Sequence, residues 1–150
     1  MKIKVDVSEE NYHQVREILE QCGLEEDENA DFLLTENKKY AERLQAKDSK
    51  TGDRVFLPMN DIVLIESFGH NVEVHTEKKC YQAFDRLYKV ANLLDPEKFL
   101  RISNSVIIAT EKVKQISPTL SMKFILTMTN GEKVDVTRSY YYIFKEFFDI

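Results

Sequence analysis

The chain has few of the residues that mark specialised folds: four glycines, three prolines, two cysteines and no tryptophan among 150 residues. Cys22 and Cys80 lie far apart and form no CxxC pair, so we expect reduced thiols in a cytoplasmic protein. Apolar runs are short and the N-terminus has no long apolar stretch, which argues against a membrane helix and a secretory signal. With 43% hydrophobic residues, we predict one domain with at most a small appendage.

The sequence also lacks the spaced motifs of common active and metal sites. Its glycines form no phosphate-binding GxxxxGK[ST] or GxGxxG motif, and Ser103 and Ser105 lack the GxSxG pattern of a serine nucleophile. The three histidines form no HExxH motif and no spaced metal set with the cysteines. We therefore predict a protein that is not an enzyme and holds no metal or other cofactor. An active site around Glu66 and a histidine is the weakest alternative.

The net charge of −5 is unevenly distributed along the chain. Residues 1–53 carry eight Lys/Arg and fourteen Asp/Glu, whereas residues 54–150 carry thirteen and twelve. The acidic first part would repel a polyanion such as DNA, while the second part is neutral enough to present a local basic face. Charge alone therefore leaves nucleic-acid binding open.

The N-terminal part of the chain predicts a small β-α-β unit. Apolar residues alternate over Lys2–Val7, as in a half-buried strand, and a helix with one apolar stripe follows from Ser8 to the stop at Gly23. A second strand is predicted over Ala30–Thr35, and residues 38–46 fit one or two helical turns.

We assign residues 1–46 to this unit and the polar residues 47–53 to a linker. The unit is too short to be a phosphoacceptor receiver domain, which needs a five-stranded doubly wound sheet. Its aspartates are therefore expected to be surface and capping carboxylates rather than a phosphorylation site: Asp6, Asp27 and Asp31.

From Arg54 onwards, short β-branched and aromatic runs follow one another at close spacing, which is typical of a mainly β module. The continuous apolar run that begins at Ile62 indicates a strand buried on both faces. Strands are predicted at 54–57, 62–67, 72–76, 80–81, 123–129 and 132–137. Two more short strands are predicted around Val106–Ile108 and Val113–Ile116, joined around Ala109-Thr110-Glu111.

Two helices and one tight turn complete this part of the chain. Asn130-Gly131 favours a type I′ hairpin turn, and Ser139 is placed to cap a last, aromatic-rich helix. The other helix is predicted from residues that share one face: Phe84, Leu87, Tyr88, Ala91 and Leu94.

Polar side chains suited to nucleic acid stand where several of these strands begin or end. Arg bonds guanine bidentately and Asn does the same with adenine, whereas Lys holds phosphates without reading sequence. The alternative is that such Ser and Asn residues only satisfy their own turn backbone. The predicted base-contacting residues are His70, Asn71, Ser103, Asn104 and Arg138. The predicted phosphate-contacting residues are Lys78, Lys79, Arg101, Ser105, Lys112, Lys114, Lys123, Ser139 and Tyr141.

Four ordered blocks in residues 54–150 match the motifs of one known domain family. The blocks are Ile62–Ser67, similar to I-x-Y-I-E; Phe99–Ala109, similar to F-x-R-x-H-x-S-x-I-V-N; Lys112–Ile116, similar to a K/x-I-x-x-I sequel; and Asn130–Tyr140, similar to N-G-x-x-x-x-V-S-R-x-Y. Each block alone is weak, but their order across two thirds of the chain is specific. This part of the chain therefore resembles the LytTR DNA-binding domain of bacterial transcription regulators.

The resemblance implies an elongated, mostly antiparallel β fold of about ten short strands, whose loops enter successive major grooves of DNA. His70 then falls in the first DNA-facing loop, Ser103 and Asn104 in the second and Arg138 in the third. Ser103 stands where the family commonly has His, and Ala109 where it commonly has Asn. Asn104 is therefore expected to carry the base contact of the second loop.

The resemblance further implies a sequence-specific transcription regulator of the stand-alone kind, without a receiver domain. We expect double-stranded DNA as partner, homodimers on promoter repeats and no small-molecule substrate. Some compact relatives are controlled by a membrane protein encoded beside them, and the N-terminal unit would serve dimerisation or partner docking. The alternative is a protein-protein interaction module with a LytTR-like fold and little DNA affinity.

Overall fold

The computed structural model describes residues 1–37 and 40–150, and the chain divides into two compact units, residues 1–39 and 40–150. In the first unit, strand β1 (Lys2–Asp6), helix α1 (Glu9–Gln21), strand β2 (Glu25–Glu26) and strand β3 (Leu33–Thr35) follow in order. β1 lies between β2 and β3 and pairs with both in parallel. The predicted β-α-β unit is confirmed.

Helix α1 ends where the sequence predicted, because Gly23 adopts a φ of 71°. The Gly23 amide donates to Glu20 O (3.2 Å) and the Leu24 amide to Leu19 O (2.9 Å), which satisfies two carbonyls at the helix end. The predicted apolar stripe is buried mainly at Leu19, which is 5% exposed, whereas Ile18 is 50% exposed.

The second unit, residues 40–150, folds into ten strands in two antiparallel sheets. The seven-stranded sheet has the order β5-β4-β8-β7-β6-β10-β9, and the three-stranded sheet has the order β11-β12-β13. This architecture confirms the predicted mainly β fold. The strands are β4 (Arg43–Lys47), β5 (Arg54–Pro58), β6 (Ile62–Phe68), β7 (Asn71–Thr76), β8 (Cys80–Ala83), β9 (Phe99–Arg101), β10 (Val106–Ala109), β11 (Val113–Pro118), β12 (Phe124–Met128) and β13 (Lys133–Val136).

The boundary between the units differs from the predicted one. Arg43–Lys47 is strand β4, not a helical turn, and it pairs with β5 from Arg43↔Pro58 to Lys47↔Arg54. The predicted linker is the turn of this hairpin, closed by the Asp48 amide donating to Asp53 O (2.9 Å). The rest of the predicted helical segment includes residues 38 and 39, which lie outside the described residues. The alternation of buried Leu44 and Ala46 with polar neighbours is the sequence signal for this strand.

Strand β6 lies between two cores, as its continuous apolar run predicted. Ile62 and Ile65 face one core, while Val63 and Leu64 face the other. Two consecutive residues share a face because the register with β7 shifts between Ile62 and Leu64, as at a β-bulge. The first core lies between the large sheet and helix α2 (Leu87–Leu93), and the second includes Phe144 of helix α3 (Tyr141–Phe148).

The residues that helix α2 buries differ in part from the sequence prediction. Leu87, Val90 and Leu94 are the buried residues around α2, whereas Phe84 precedes the helix and is exposed with Tyr88. No helix of the described residues is long and apolar enough to cross a membrane.

The hairpin between β12 and β13 does not use the predicted type I′ turn. That turn needs positive φ at both central residues, and only Gly131 has it, with φ of 87°. The Gly131 amide donates to Met128 O (2.9 Å) and the Met128 amide to Glu132 O (2.8 Å), which describes a three-residue loop with a glycine bulge.

Candidate nucleic-acid interface

Four segments meet at one end of the second unit: residues 68–71, 102–105, 119–123 and 137–140. Phe68 pairs with Asn71 across the β6–β7 turn, and the Ser67 amide donates to Ser105 O (2.8 Å). The Thr137 amide donates to Ile102 O (3.0 Å), which joins the segment before α3 to the β9–β10 loop. None of the four segments contains Asp or Glu, and we call this region the carboxylate-free end.

All five predicted base-contacting residues lie in these segments. His70 and Asn71 are exposed at the β6–β7 turn, Asn104 is exposed in the β9–β10 loop, and Arg138 is exposed before α3. His70 and Arg138 are 68 positions apart in the sequence. They lie at the same end of the unit because β6, β10 and β13 each have one end at the carboxylate-free end.

Ser103 is the exception within this set, because its side chain is buried and its residue is only 7% exposed. Its hydroxyl accepts from the Ser105 amide (3.2 Å) and lies 3.4 Å from the Ser105 hydroxyl. Ser103 thus shapes the loop, as the alternative interpretation of this polar run stated. Asn104 is the side chain that this loop exposes.

Arg101 braces the same loop from strand β9. Its Nε donates to Ser103 O (3.1 Å) and its Nη2 donates to Asn104 O. Both acceptors are neutral carbonyls, so the guanidinium keeps its full positive charge beside the loop.

Tyr140 holds Asn104 from the neighbouring segment, through a hydroxyl that donates to Asn104 Oδ1 (3.3 Å). The sequence does not predict this contact, because no pattern in the residues around Tyr140 points to Asn104. The predicted phosphate contact Tyr141 instead stacks on Phe124, with ring centroids 5.0 Å apart and planes 9° apart. Of these two neighbouring tyrosines, Tyr140 therefore contacts the predicted DNA-facing loop.

Arg138 is held by a turn whose contact with it the sequence does not predict. Its Nε donates to Ser121 O (3.2 Å) in the turn between β11 and β12. Met122 in that turn has a φ of 56°, an uncommon conformation for a residue with a side chain. Ser139 is exposed in a one-turn 3₁₀ helix and does not cap α3, whose N-cap is Tyr140.

The predicted phosphate-contacting lysines Lys78, Lys79 and Lys112 lie at the opposite end of the second unit. Residues 76–79, 110–112 and 129–132 meet there: the Thr129 amide donates to Lys112 O (2.8 Å) and Asn130 Nδ2 to Thr76 O (3.4 Å). Lys114 follows on β11, two residues after Lys112.

Carboxylates face two of the three predicted phosphate-contacting lysines at this second end, which we call the ion-paired end. Lys79 Nζ lies 2.6 Å from Asp48 Oδ2, and Lys112 Nζ lies 3.7 Å from Glu77 Oε1. The Lys79 contact, with backbone amides of the same turn, lowers the pKa of Asp48 to about 2.

A cluster of acidic residues surrounds His75 near the ion-paired end. Glu66 is half-buried, and burial raises the pKa of its carboxyl. Glu73 pairs across the strands with Glu66, and His75 pairs in the same way with Cys80. Sequence reasoning did not connect His75 with Cys80, because the hairpin register, not the spacing, makes them neighbours.

The family model of the LytTr DNA-binding domain matches residues 52–149, well over half of the chain. The chain belongs to this family, as the four sequence blocks indicated. The family is a DNA-binding regulatory domain and not a class of enzymes.

The chain is also similar to two named regulators. Sensory transduction protein LytT of Bacillus subtilis (strain 168) is 28% identical over 112 residues, covering 75% of this chain and 46% of that protein. Transcriptional regulatory protein LytR of Staphylococcus aureus (strain N315) is 27% identical over 121 residues, covering 80% and 48%. The chain thus spans about half the length of the curated relatives it matches.

A solved LytTr DNA-binding domain from Bacillus cereus has the same fold. It matches with a TM-score of 0.68 at 24% sequence identity, covering 73% of this chain and 99% of that chain. The expected LytTR-like architecture is therefore confirmed at the level of the fold.

Proposed function

We propose that this chain is a sequence-specific DNA-binding transcription regulator that reads major grooves of double-stranded DNA with the carboxylate-free end of its second unit. One observation carries this proposal. The predicted base-contacting residues, distant in sequence, are gathered at an end whose four segments hold His70, Lys123 and Arg138 and no carboxylate.

Within this proposal, the exposed side chains have distinct roles. Arg138 bonds a guanine edge, and the side-chain amides of Asn104 and Asn71 bond base edges. His70 adds a base contact from the first loop, beside Asn71. Ser103 keeps a loop-shaping role rather than a base contact. Backbone phosphates are held by Arg101, Ser105, Lys123 and Ser139.

We assign no DNA contact to Lys78, Lys79 or Lys112. They lie at the opposite end, and Lys79 and Lys112 already face carboxylates. A lysine whose charge is already balanced by a carboxylate neutralises a phosphate less effectively, so it releases fewer of the counterions bound to DNA.

The first unit is proposed to contact protein rather than DNA, as a homodimerisation or partner-docking element. Residues 1–37 carry three Lys/Arg and eleven Asp/Glu, a charge that repels DNA. A homodimer on promoter repeats would supply the second half-site that one small module lacks. Partners include a membrane-protein inhibitor in this proposal, and the regulator works in the cytoplasm.

Selection of bound oligonucleotides from a random duplex pool, at two salt concentrations, tests the proposal. Wild type should enrich a motif of repeated half-sites, and its affinity should fall as salt rises because bound phosphates release counterions. Arg138→Ala should blur the motif at the base that Arg138 reads.

The same experiment tests the alternative. No enrichment at either salt would overturn the DNA-reading proposal and favour a protein-interaction module. In that case, deletion of residues 1–37 followed by light scattering and partner capture tests whether the acidic first unit carries the interaction.

A further inference from the structure

His75 has a buried nitrogen without a hydrogen-bond partner. The residue is 7% exposed, and Nδ1 lies 2.7 Å from Glu132 Oε1 in a good hydrogen bond. Nε2 is buried and has no hydrogen bond, although it lies 3.2 Å from Glu73 Oε2. A buried polar atom left in this state costs free energy unless something else engages it.

Two further potential metal ligands lie close to the His75 ring. One donor atom each from Glu73, His75 and Cys80 lies within 4.8 Å of the other two. The Cys80 sulfur is 3.4 Å from Nδ1 of the same ring. To share an ion with Nε2, this exposed side chain must turn from Nδ1 toward Nε2.

The distance between Nε2 and Glu73 is near that of two neighbouring ligands in a tetrahedral zinc site. Ligand bonds of about 2.0–2.2 Å for nitrogen and oxygen place two such ligands about 3.3–3.6 Å apart, slightly more than the 3.2 Å between Nε2 and Glu73 Oε2. Thiolate, imidazole and carboxylate are the donors that zinc uses in proteins.

The surroundings complete the pattern expected around a metal-bound histidine. Glu132 accepts from Nδ1, which fixes the tautomer with the Nε2 lone pair free, as outer carboxylates do for zinc-bound histidines. Glu66, Glu73 and Glu132 also make the cluster strongly negative around one imidazole, which favours a divalent cation.

We propose that Glu73, His75 Nε2 and Cys80 form a binding site for a zinc-class divalent cation, with Glu132 positioning the imidazole. This assignment departs from the sequence prediction of no metal. It is independent of the proposed DNA contacts, since the site lies near the ion-paired end. A bound ion would clamp the β7–β8 hairpin, and Glu132 extends that clamp to the β12–β13 turn.

Cobalt(II) added to the purified, metal-stripped full chain tests this site, because a thiolate ligand gives cobalt an intense charge-transfer absorption. We expect this absorption in wild type, its removal by added zinc, and its loss in Cys80→Ser. Glu73→Gln should weaken zinc binding by about tenfold or more in competition with a chromophoric chelator. Both substituted side chains are accessible to solvent, so each variant should retain the wild-type thermal midpoint without metal.

Cys22→Ser is the matched control, since Cys22 is also a free, exposed cysteine but lies in the first unit. It should keep both the absorption and the zinc affinity. Absence of the charge-transfer absorption in wild type would overturn the proposal. So would its survival in Cys80→Ser, because the thiolate would then come from elsewhere.

Discussion

The two ends of the second unit hold their cations in different ways. At the carboxylate-free end, Arg101 and Arg138 donate to backbone carbonyls of neighbouring loops. At the ion-paired end, Lys79 and Lys112 face the carboxylates of Asp48 and Glu77. A carbonyl fixes a cationic side chain without cancelling its charge, whereas a carboxylate fixes the side chain and also cancels its charge.

A count of Lys and Arg is therefore a poor guide to a DNA-binding face. The second unit is close to neutral. Its arginines bonded to carbonyls nevertheless lie at one end of the strands, and its ion-paired lysines lie at the other. A guanidinium bonded to a carbonyl is both oriented and electrostatically available to a phosphate or a guanine. The proposed reading face is therefore defined as much by the absence of carboxylates as by its cations.

The substitution expected to change stability most truncates a core side chain next to the carboxylate-free end. Phe144 is 0% exposed and packs with Phe124 and Phe148. Phe144→Ala should lower the free energy of unfolding by about 3–5 kcal/mol, because it leaves a cavity. Urea unfolding checks this, with Tyr142→Ala on the exposed face of the same helix as control. Equal losses in the two variants would contradict the assigned core.

Arg138→Ala tests the difference between the ends directly. It should cost about 1–3 kcal/mol of binding to the selected DNA site, because a bidentate base contact is lost. Lys112→Ala, at the ion-paired end, should leave affinity nearly unchanged. Fluorescence anisotropy with cognate and random duplexes measures both. If Arg138→Ala weakens both duplexes equally, Arg138 holds only phosphate; if Lys112→Ala has the larger effect, the assignment of the ends is wrong.

A smaller effect is expected from Tyr140→Phe, which deletes the hydroxyl that donates to Asn104 Oδ1. Loss of this one hydrogen bond should weaken cognate binding by about 0.5–1.5 kcal/mol, because Asn104 is less well oriented. The thermal midpoint should change little, since the ring remains. Cognate affinity that matches wild type would show that Asn104 needs no support from Tyr140.

The smallest effect concerns pH at the ion-paired end. The pKa of Asp48 falls from 3.8 to about 2 in the folded protein, chiefly because Lys79 donates to its carboxylate. The unfolded state therefore binds this proton first, so the pair stabilises the fold above about pH 4 and loses that contribution as pH falls through about 2.

The urea midpoints of wild type and Asp48→Asn measure this contribution. They should differ slightly near pH 6 and converge near pH 2, as expected for a surface pair. A difference that is constant over this range would show that the ion pair is not its source.

Much of the fold was predictable because its signals are local. Alternation defined the strands, the double-sided apolar run identified β6, and Gly23 marked the end of α1. Strand β4 was predicted as helical turns because its five residues are too few to distinguish the two structures until the pairing partner is known. Phe84 and Tyr88 fit the helical period but are exposed, since packing, not periodicity, decides which face is buried.

The candidate site was predictable in its residue types but not in its geometry. Blocks resembling the family located His70, Asn104 and Arg138, whereas the supports from Tyr140 and Ser121 carry no local signal. For Ser103, sequence alone left two interpretations, and burial against its own loop favours the structural one.

The family, the order of most strands and the residue types at their ends follow from the sequence alone, because they depend on patterns within short windows. Three other outcomes depend on the tertiary structure: which strand ends meet, which cations face carboxylates, and the position of His75 beside Cys80. Those outcomes follow from sheet register and order, through which residues far apart in the chain become neighbours in space.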